Sequence, residues 1–322
     1  LKDFLHTLSI ENFTTQSGKI YHIPLSYEVF GCPLYSAPIV LVNHALTGNS
    51  TVTGEKGWWR KAIGEDKSIN THKYTVLAFN IPGNAYDGFF IDRPKDFVTR
   101  DIARLFLLGL ECLDIKKVFA LIGSSLGGAI GWEMLGLKND LAENFIPIAT
   151  DWKTSDWLYA QCLVQDFLLR QSDKPLQKAR IHAMLCYRSP QSLNQRFKNE
   201  KIQEKKELRK SEAWLNFHGE SLHQRFTLSS YKMMNQLLST IESEARQDNP
   251  YDDLSQIKAG IFIVSVDSDL FFPISEDRKT YVELKKRKEN VSHFIIHSIH
   301  GHDAFLIEYE QLNKILHKIF KK

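Results

Sequence analysis

The sequence predicts an α/β fold with a mostly parallel central sheet, on three observations. Short runs rich in β-branched residues alternate with helix-length stretches, the runs are apolar at nearly every position, and several run straight into glycine. Strands apolar throughout are buried on both faces, and parallel strands with crossover helices bury them that way. In chain order, "APIVLVNHALTG" (37–48) ends at Gly48, and "KYTVLAFNIPGNA" (73–85) closes on Pro82 and Gly83. "DFVTRDIARLFLLGLECLDI" (96–115) has helical periodicity, with Val98, Ile102, Leu105, Leu108 and Cys112 on one stripe. "KKVFALIGSSLGG" (116–128) is a strand entering glycines, "AIGWEMLGL" (129–137) a helix and "NFIPIAT" (144–150) a further strand.

From about 151 to 240 strand-like runs vanish, and helical stretches rich in Trp, Gln, Arg and Phe replace them. The β/α rhythm returns at "AGIFIVSVDSD" (259–269), followed by a helix (275–289), the strand "SHFIIHS" (292–298) and a last helix (303–320). The expected organisation is a core of residues 1–150 and 241–322 interrupted by a helical lid insertion, 151–240, above the C-terminal strand ends.

The 322 residues can bury a full core, and 43% apolar and 25% charged residues are ordinary globular proportions. A formal charge of +3 spread along the chain gives no sign of a nucleic-acid surface. The charge runs "KNEKIQEKKELRK" (198–210) and "ELKKRKEN" (283–290) mix signs at helical spacing and read as solvated helix faces. Cys32, Cys112, Cys162 and Cys186 form no CxxC pair, so buried reduced thiols are expected rather than a disulfide framework. With no signal-peptide pattern and no membrane-length apolar run, a cytoplasmic protein is expected, without membrane partners. The histidines lack metal-ligand spacing, so no metal is expected.

"GSSLG" (123–127) matches G-x-S-x-G with Ser125 at its centre. A serine on a tight strand-to-helix turn needs small residues two positions away on either side, which Gly123 and Gly127 provide. A serine hydroxyl needs a base, and the base an orienting acid. "VSVDSDLFFP" (264–273) offers Asp267 and Asp269, and "IHGHDAF" (299–305) offers His300 and His302, each after a strand. An oxyanion hole needs two backbone N–H donors. Leu126, after the nucleophile, supplies one, and Leu46 in "NHALTG" (43–48) the other. His44 in that loop reads as a hydrogen-bonding residue rather than a catalytic one.

The segments "LVNHALTGNS", "GWW", "IGSSLGGAIGWE", "KARIHAMLCYRS", "RFTLSSYKMM", "DSDLFFP" and "GHDAFL" together resemble the homoserine O-acetyltransferase family, from about residue 25 to the C-terminus. The resemblance implies an α/β-hydrolase fold and transfer of acetyl from acetyl-CoA, a cosubstrate rather than a bound cofactor, to the hydroxyl of L-homoserine in methionine biosynthesis. It implies Ser125 as nucleophile, Asp269 as acid and His302 as base, with His300 a loop neighbour. It also implies Arg180 and Tyr187 for the acceptor carboxylate, Asp303 for its ammonium, and a homodimer through the insertion. Seven residues separate Arg180 from Tyr187, two helical turns, so both share one face. "NAYDGFFIDRP" (84–94) stands where the family has S-T-G-P, and Ser124 and Leu126 replace its Gly and Met at the elbow. These departures leave succinyl-CoA as donor and serine as acceptor open. A serine esterase or thioesterase on the same scaffold is the second expectation, and a non-catalytic binding protein the third.

Overall fold

The computed structural model describes residues 5–203, 205–242 and 249–320. Eight strands make one sheet: β1 (His6–Thr14), β2 (Ile20–Gly31), β3 (Ile39–Asn43), β4 (Thr75–Phe79), β5 (Val118–Ser124), β6 (Ala142–Ile148), β7 (Gly260–Val266) and β8 (Val291–Ile296). Their order is β1-β2-β4-β3-β5-β6-β7-β8, antiparallel from β1 to β4 and parallel from there on. The helices are α1 (Thr99–Cys112), α2 (Leu126–Leu137), α3 (Asp156–Gln171), α4 (Pro175–Tyr187), α5 (Pro190–Phe197), α6 (Lys210–His223), α7 (Leu228–Leu238), α8 (Pro250–Ser255), α9 (Ile274–Lys285) and α10 (Tyr309–Leu316).

The apolar runs divide their side chains between two cores, as the two-residue period of a strand requires. Val40, Val76, Ile122, Ile146 and Val264 pack on one face of the sheet. Leu41, Leu77, Leu121, Phe145 and Ile263 pack on the other. Because β3 to β8 run parallel, the loops after β3, β5, β6, β7 and β8 open on one edge, where open α/β sheets bind ligands.

Between β6 and β7 the chain forms α3 to α7, started by local caps. Ser155, Ser189 and Thr227 accept hydrogen bonds from Leu158, Ser192 and Ser230 N–H, and Pro175 and Pro190 begin their helices. Each side-chain cap contributes about 1 kcal/mol.

Several local expectations change. The hairpin of β1 and β2 has no counterpart in the sequence reading, although Ile23, Leu25 and Tyr27 alternate inward along β2. The run 198–210 is not a helix: Lys198 and Asn199 both take positive φ, turning the chain into a short ladder of Lys201–Ile202 with Lys205–Arg209. Part of that run lies outside the described residues. In α1 the buried stripe passes through Ile102, Leu105, Phe106 and Gly109, leaving Cys112 exposed. Cys32 is half-buried, and only Cys162 and Cys186 are buried thiols. The last helix is broken into a 3₁₀ turn, Gly301–Leu306, and α10.

Asp151, in the loop after β6, is 4% exposed, and burial pushes its carboxyl up to about 7 although Trp152 N–H donates to it. The unfolded chain holds this proton far less tightly, with a pKa of about 3.9. The neutral acid therefore contributes stability that is full below pH 4 and lost as pH rises through 7. Asp151→Asn keeps the acceptor for Trp152 and should raise stability by roughly 1–3 kcal/mol at pH 8, with no gain at pH 4. Urea unfolding across that range checks it; an equal gain at both ends contradicts the assignment.

Candidate active site

Ser125 sits between the last residue of β5 and the first of α2, with φ 54° and ψ −129°. This left-handed position holds its hydroxyl out of the turn, at a cost of about 1–3 kcal/mol that the surroundings must offset. They do so by close approach. A Cβ on Gly127 would lie 2.3 Å from Asn43 O, and one on Gly123 would lie 2.4 Å from Gly127 O. The glycines thus let the loop after β3 lie directly against the start of α2.

Ser125 Oγ lies 2.9 Å from His302 Nε2, and His302 Nδ1 lies 2.7 Å from Asp269 Oδ2. All three residues are at most 5% exposed. Asp269 Oδ1 accepts from Phe271 N–H at 2.7 Å and Phe272 N–H at 2.9 Å, which fixes the carboxylate. An ionised carboxylate only accepts, so His302 donates from Nδ1 and its Nε2 is left to accept the serine proton. Phe271, Phe272, Tyr187 and Phe305 surround the imidazole with ring centroids 5.2–5.6 Å away. Asp267 is turned outward instead, with Oδ2 2.9 Å from the exposed His297 Nδ1.

Leu46 and Leu126 are both buried beside the elbow. Among the described residues neither backbone N–H has an internal partner, so both are available to a developing oxyanion. His44 shapes this loop: its Nδ1 donates to Ala45 O at 2.8 Å, and its Nε2 accepts from Ile81 N–H at 3.0 Å. Burial pulls the imidazole down to about 4, against the Ala45 bond that favours the charged form, so it stays a neutral brace. The segment 84–94 is tied into the same region: Asn84 approaches His44 Nε2 at 3.4 Å, Asp87 accepts from Ser26 Oγ, and Ile91 O accepts from Ser229 at 3.0 Å.

Arg180 and Tyr187 come together on α4, the guanidinium carbon 5.4 Å from the ring centroid. Tyr187 in turn lies against His302. Gly301, at φ 69°, makes that approach possible, since a Cβ there would lie 2.7 Å from Tyr187 O. Asp303 Oδ2 is 3.7 Å from an Arg188 terminal nitrogen. Burial raises the Asp303 carboxyl, while His302, Arg180 and Arg188 hold it down.

Arg188 was absent from the sequence-derived set. It is 8% exposed, and it lies just past the end of α4 with extended backbone, φ −117° and ψ 138°. Helical spacing cannot orient a residue beyond the helix, so the face shared by Arg180 and Tyr187 does not extend to Arg188. His300 is a partly exposed loop residue, with Nδ1 3.0 Å from Ser192 Oγ and 3.3 Å from Arg188. Arginine has no acceptor, so His300 Nδ1 accepts and holds Arg188 in place.

An open sheet with a strained serine, a histidine and an aspartate on its C-terminal edge defines an α/β-hydrolase-type protein, and residues 38–296 match the alpha/beta hydrolase fold family. The fold of esterase E22 superposes with a TM-score of 0.87 at 16% identity, covering 98% of this chain and 99% of that one. The homoserine O-acetyltransferase of Cyclobacterium marinum is 30% identical over 306 residues, 88% of this chain and 84% of that protein. The crystal structure of homoserine O-acetyltransferase from Staphylococcus aureus is 25% identical with a TM-score of 0.84, covering 99% of this chain and 95% of that one. The chain belongs to the homoserine O-acetyltransferase family of the α/β hydrolases.

Proposed function

We propose that this protein transfers an acetyl group from acetyl-CoA to the hydroxyl of L-homoserine through an acyl-serine. The observation that carries the proposal is the placement of Tyr187 against His302, with Arg180 over the Tyr187 ring and Asp303 within electrostatic reach of both His302 and Arg180. A carboxylate clamp and an ammonium acceptor beside a general base suit an amino acid whose hydroxyl must reach that base. An esterase, whose second substrate is water, needs neither.

In the first half-reaction Ser125 Oγ attacks the thioester carbonyl carbon while its proton passes to His302 Nε2. The Leu46 and Leu126 N–H groups hold the oxyanion, and the departing thiolate takes the proton from His302. In the second, the homoserine hydroxyl gives its proton to His302 and attacks the acyl-serine. Collapse returns the proton to Ser125 and releases the O-acyl amino acid. Water competes at this stage, so the helices α3 to α7 serve as a lid that positions the acceptor.

Acetyl-CoA turnover followed by free thiol, with and without L-homoserine, tests the assignment. Thiol release that ignores homoserine overturns it in favour of a thioesterase. Mass spectrometry of the product separates acetyl from succinyl transfer and homoserine from serine. Arg180→Ala should raise the homoserine KM roughly 10- to 100-fold while the acyl-enzyme burst with acetyl-CoA persists. Asp303→Ala should act the same way; equal loss in both half-reactions removes these residues from acceptor binding.

The proposal extends to a cytoplasmic homodimer joined through the helical segment. Trp157, Val164 and Phe167 form an exposed stripe on α3, each between 41% and 52% exposed, which supports burial against a second copy. Phe167→Glu should convert the dimer to monomer in sedimentation; a wild-type monomer at micromolar concentration contradicts this part. Among the described residues no helix is long and apolar enough to cross a membrane.

A further inference from the structure

We infer that Arg196 and Arg225 form a phosphate site at the outer end of the active-site cleft, holding the nucleotide tail of the acyl-thioester donor. The inference rests on the acyl-transfer proposal above and adds the surface by which the donor is recognised.

Four guanidiniums from three parts of the helical segment, Arg180, Arg188, Arg196 and Arg225, lie within electrostatic reach of His218 on α6. They are graded by depth. Arg188 is buried, Arg180 is half-buried, and Arg196 and Arg225 are exposed. Trp214 braces the group, with Arg188 6.0 Å and Arg196 5.5 Å from its ring and His218 edge-on at 4.3 Å. Burial and the four arginines together pull His218 down to about 4, so the imidazole is neutral and adds no fifth charge.

Counter-charge is scarce. Asp303 faces Arg188 and Arg180, but among the described residues Arg180, Arg196 and Arg225 make no ion pair. The Arg188 Nε is buried and unpartnered. Unneutralised guanidiniums repel one another, so gathering four of them costs free energy that an anionic ligand can return. An amino-acid acceptor brings one carboxylate, which the inner pair and Asp303 accommodate with its ammonium. That leaves the outer pair with two positive charges and no acceptor-derived partner.

A coenzyme A thioester supplies what the outer pair lacks. Its acyl end must reach Ser125, and its charged phosphates are far enough along the molecule to remain at the solvent-facing rim. Guanidinium forks bind phosphate oxygens through paired N–H donors. Phe217, 66% exposed and 5.7 Å from the His218 ring, adds an aromatic face at the same rim for a purine.

The test compares acetyl-CoA with S-acetyl-N-acetylcysteamine, a thioester without phosphates, in wild type and in the double variant Arg196→Gln, Arg225→Gln. The expected result is a KM for acetyl-CoA raised tenfold or more in the variant, with the KM for the short thioester unmoved. Adenosine 3′,5′-bisphosphate should compete with acetyl-CoA in wild type and lose that competition in the variant, whereas inorganic phosphate at equal concentration should compete weakly in both. Equal KM increases for both thioesters, or no increase for either, overturn the phosphate site while leaving acyl transfer intact. A wild type that cleaves p-nitrophenyl acetate but takes no acetyl group from acetyl-CoA overturns the acyl-transfer proposal and this one with it.

Discussion

Ser125→Ala is expected to lower acyl transfer by roughly 10⁴- to 10⁶-fold, with no acyl-protein mass shift on incubation with acetyl-CoA. The hydroxyl is the atom His302 Nε2 faces at 2.9 Å, and no other side chain in the elbow can take its place. Ser124, one residue earlier, is fully buried as the last residue of β5. Alanine at 125 keeps the backbone free of bulk and leaves the bond from its N–H to Ile148 O intact, so the fold should survive. Circular dichroism and thermal melting separate a dead but folded protein from an unfolded one. Retention of more than a hundredth of wild-type transfer would rule out an obligatory acyl-serine.

The second large effect is expected from Asp269→Asn, roughly 10⁴-fold in kcat with a small change in KM. The reason is proton bookkeeping at one bond. Asp269 Oδ1 is claimed by the Phe271 and Phe272 N–H groups, so an asparagine keeps its oxygen there and turns its NH₂ toward His302 Nδ1. The imidazole must then accept at Nδ1 and carry its proton on Nε2, where it can no longer receive one from Ser125. Asp267→Asn provides the control: its carboxylate meets exposed His297 and the Ser298 N–H, and transfer should stay within a few-fold of wild type. A larger loss from Asp267→Asn than from Asp269→Asn would reverse the assignment of the acid.

How far residues alone carried these conclusions varied with how local the determining contact was. The elbow was legible because its glycines answer a backbone constraint within five residues: only hydrogen at 123 and 127 avoids the carbonyls of Gly127 and Asn43. The parallel sheet was legible because strands buried on both faces are apolar at every position, as in Leu41 and Val42. The β1–β2 hairpin was less so, since β1 alternates buried and exposed residues only loosely. The charge run near 200 misled because mixed charges mark solvent exposure in a hairpin as well as in a helix.

Between Asp267 and Asp269 the residues themselves do not choose, since both lie in one loop after one strand. The fold separates them by turning one to His302 and the other to His297. His300 and the four guanidiniums near His218 come from α4, α5, the turns just after α4 and α6, and the loop after β8, brought together only by packing. The sequence by itself determined the β/α order, the strained serine turn and the order in which nucleophile, acid and base candidates follow it, because these depend on neighbours along the chain. Tertiary structure alone decided which carboxylate meets the base and which arginines share a cleft. The Asp269–His302 contact spans 33 positions and the Arg188–His300 contact 112, and their geometry depends on how helices seat against the sheet edge rather than on any spacing along the chain.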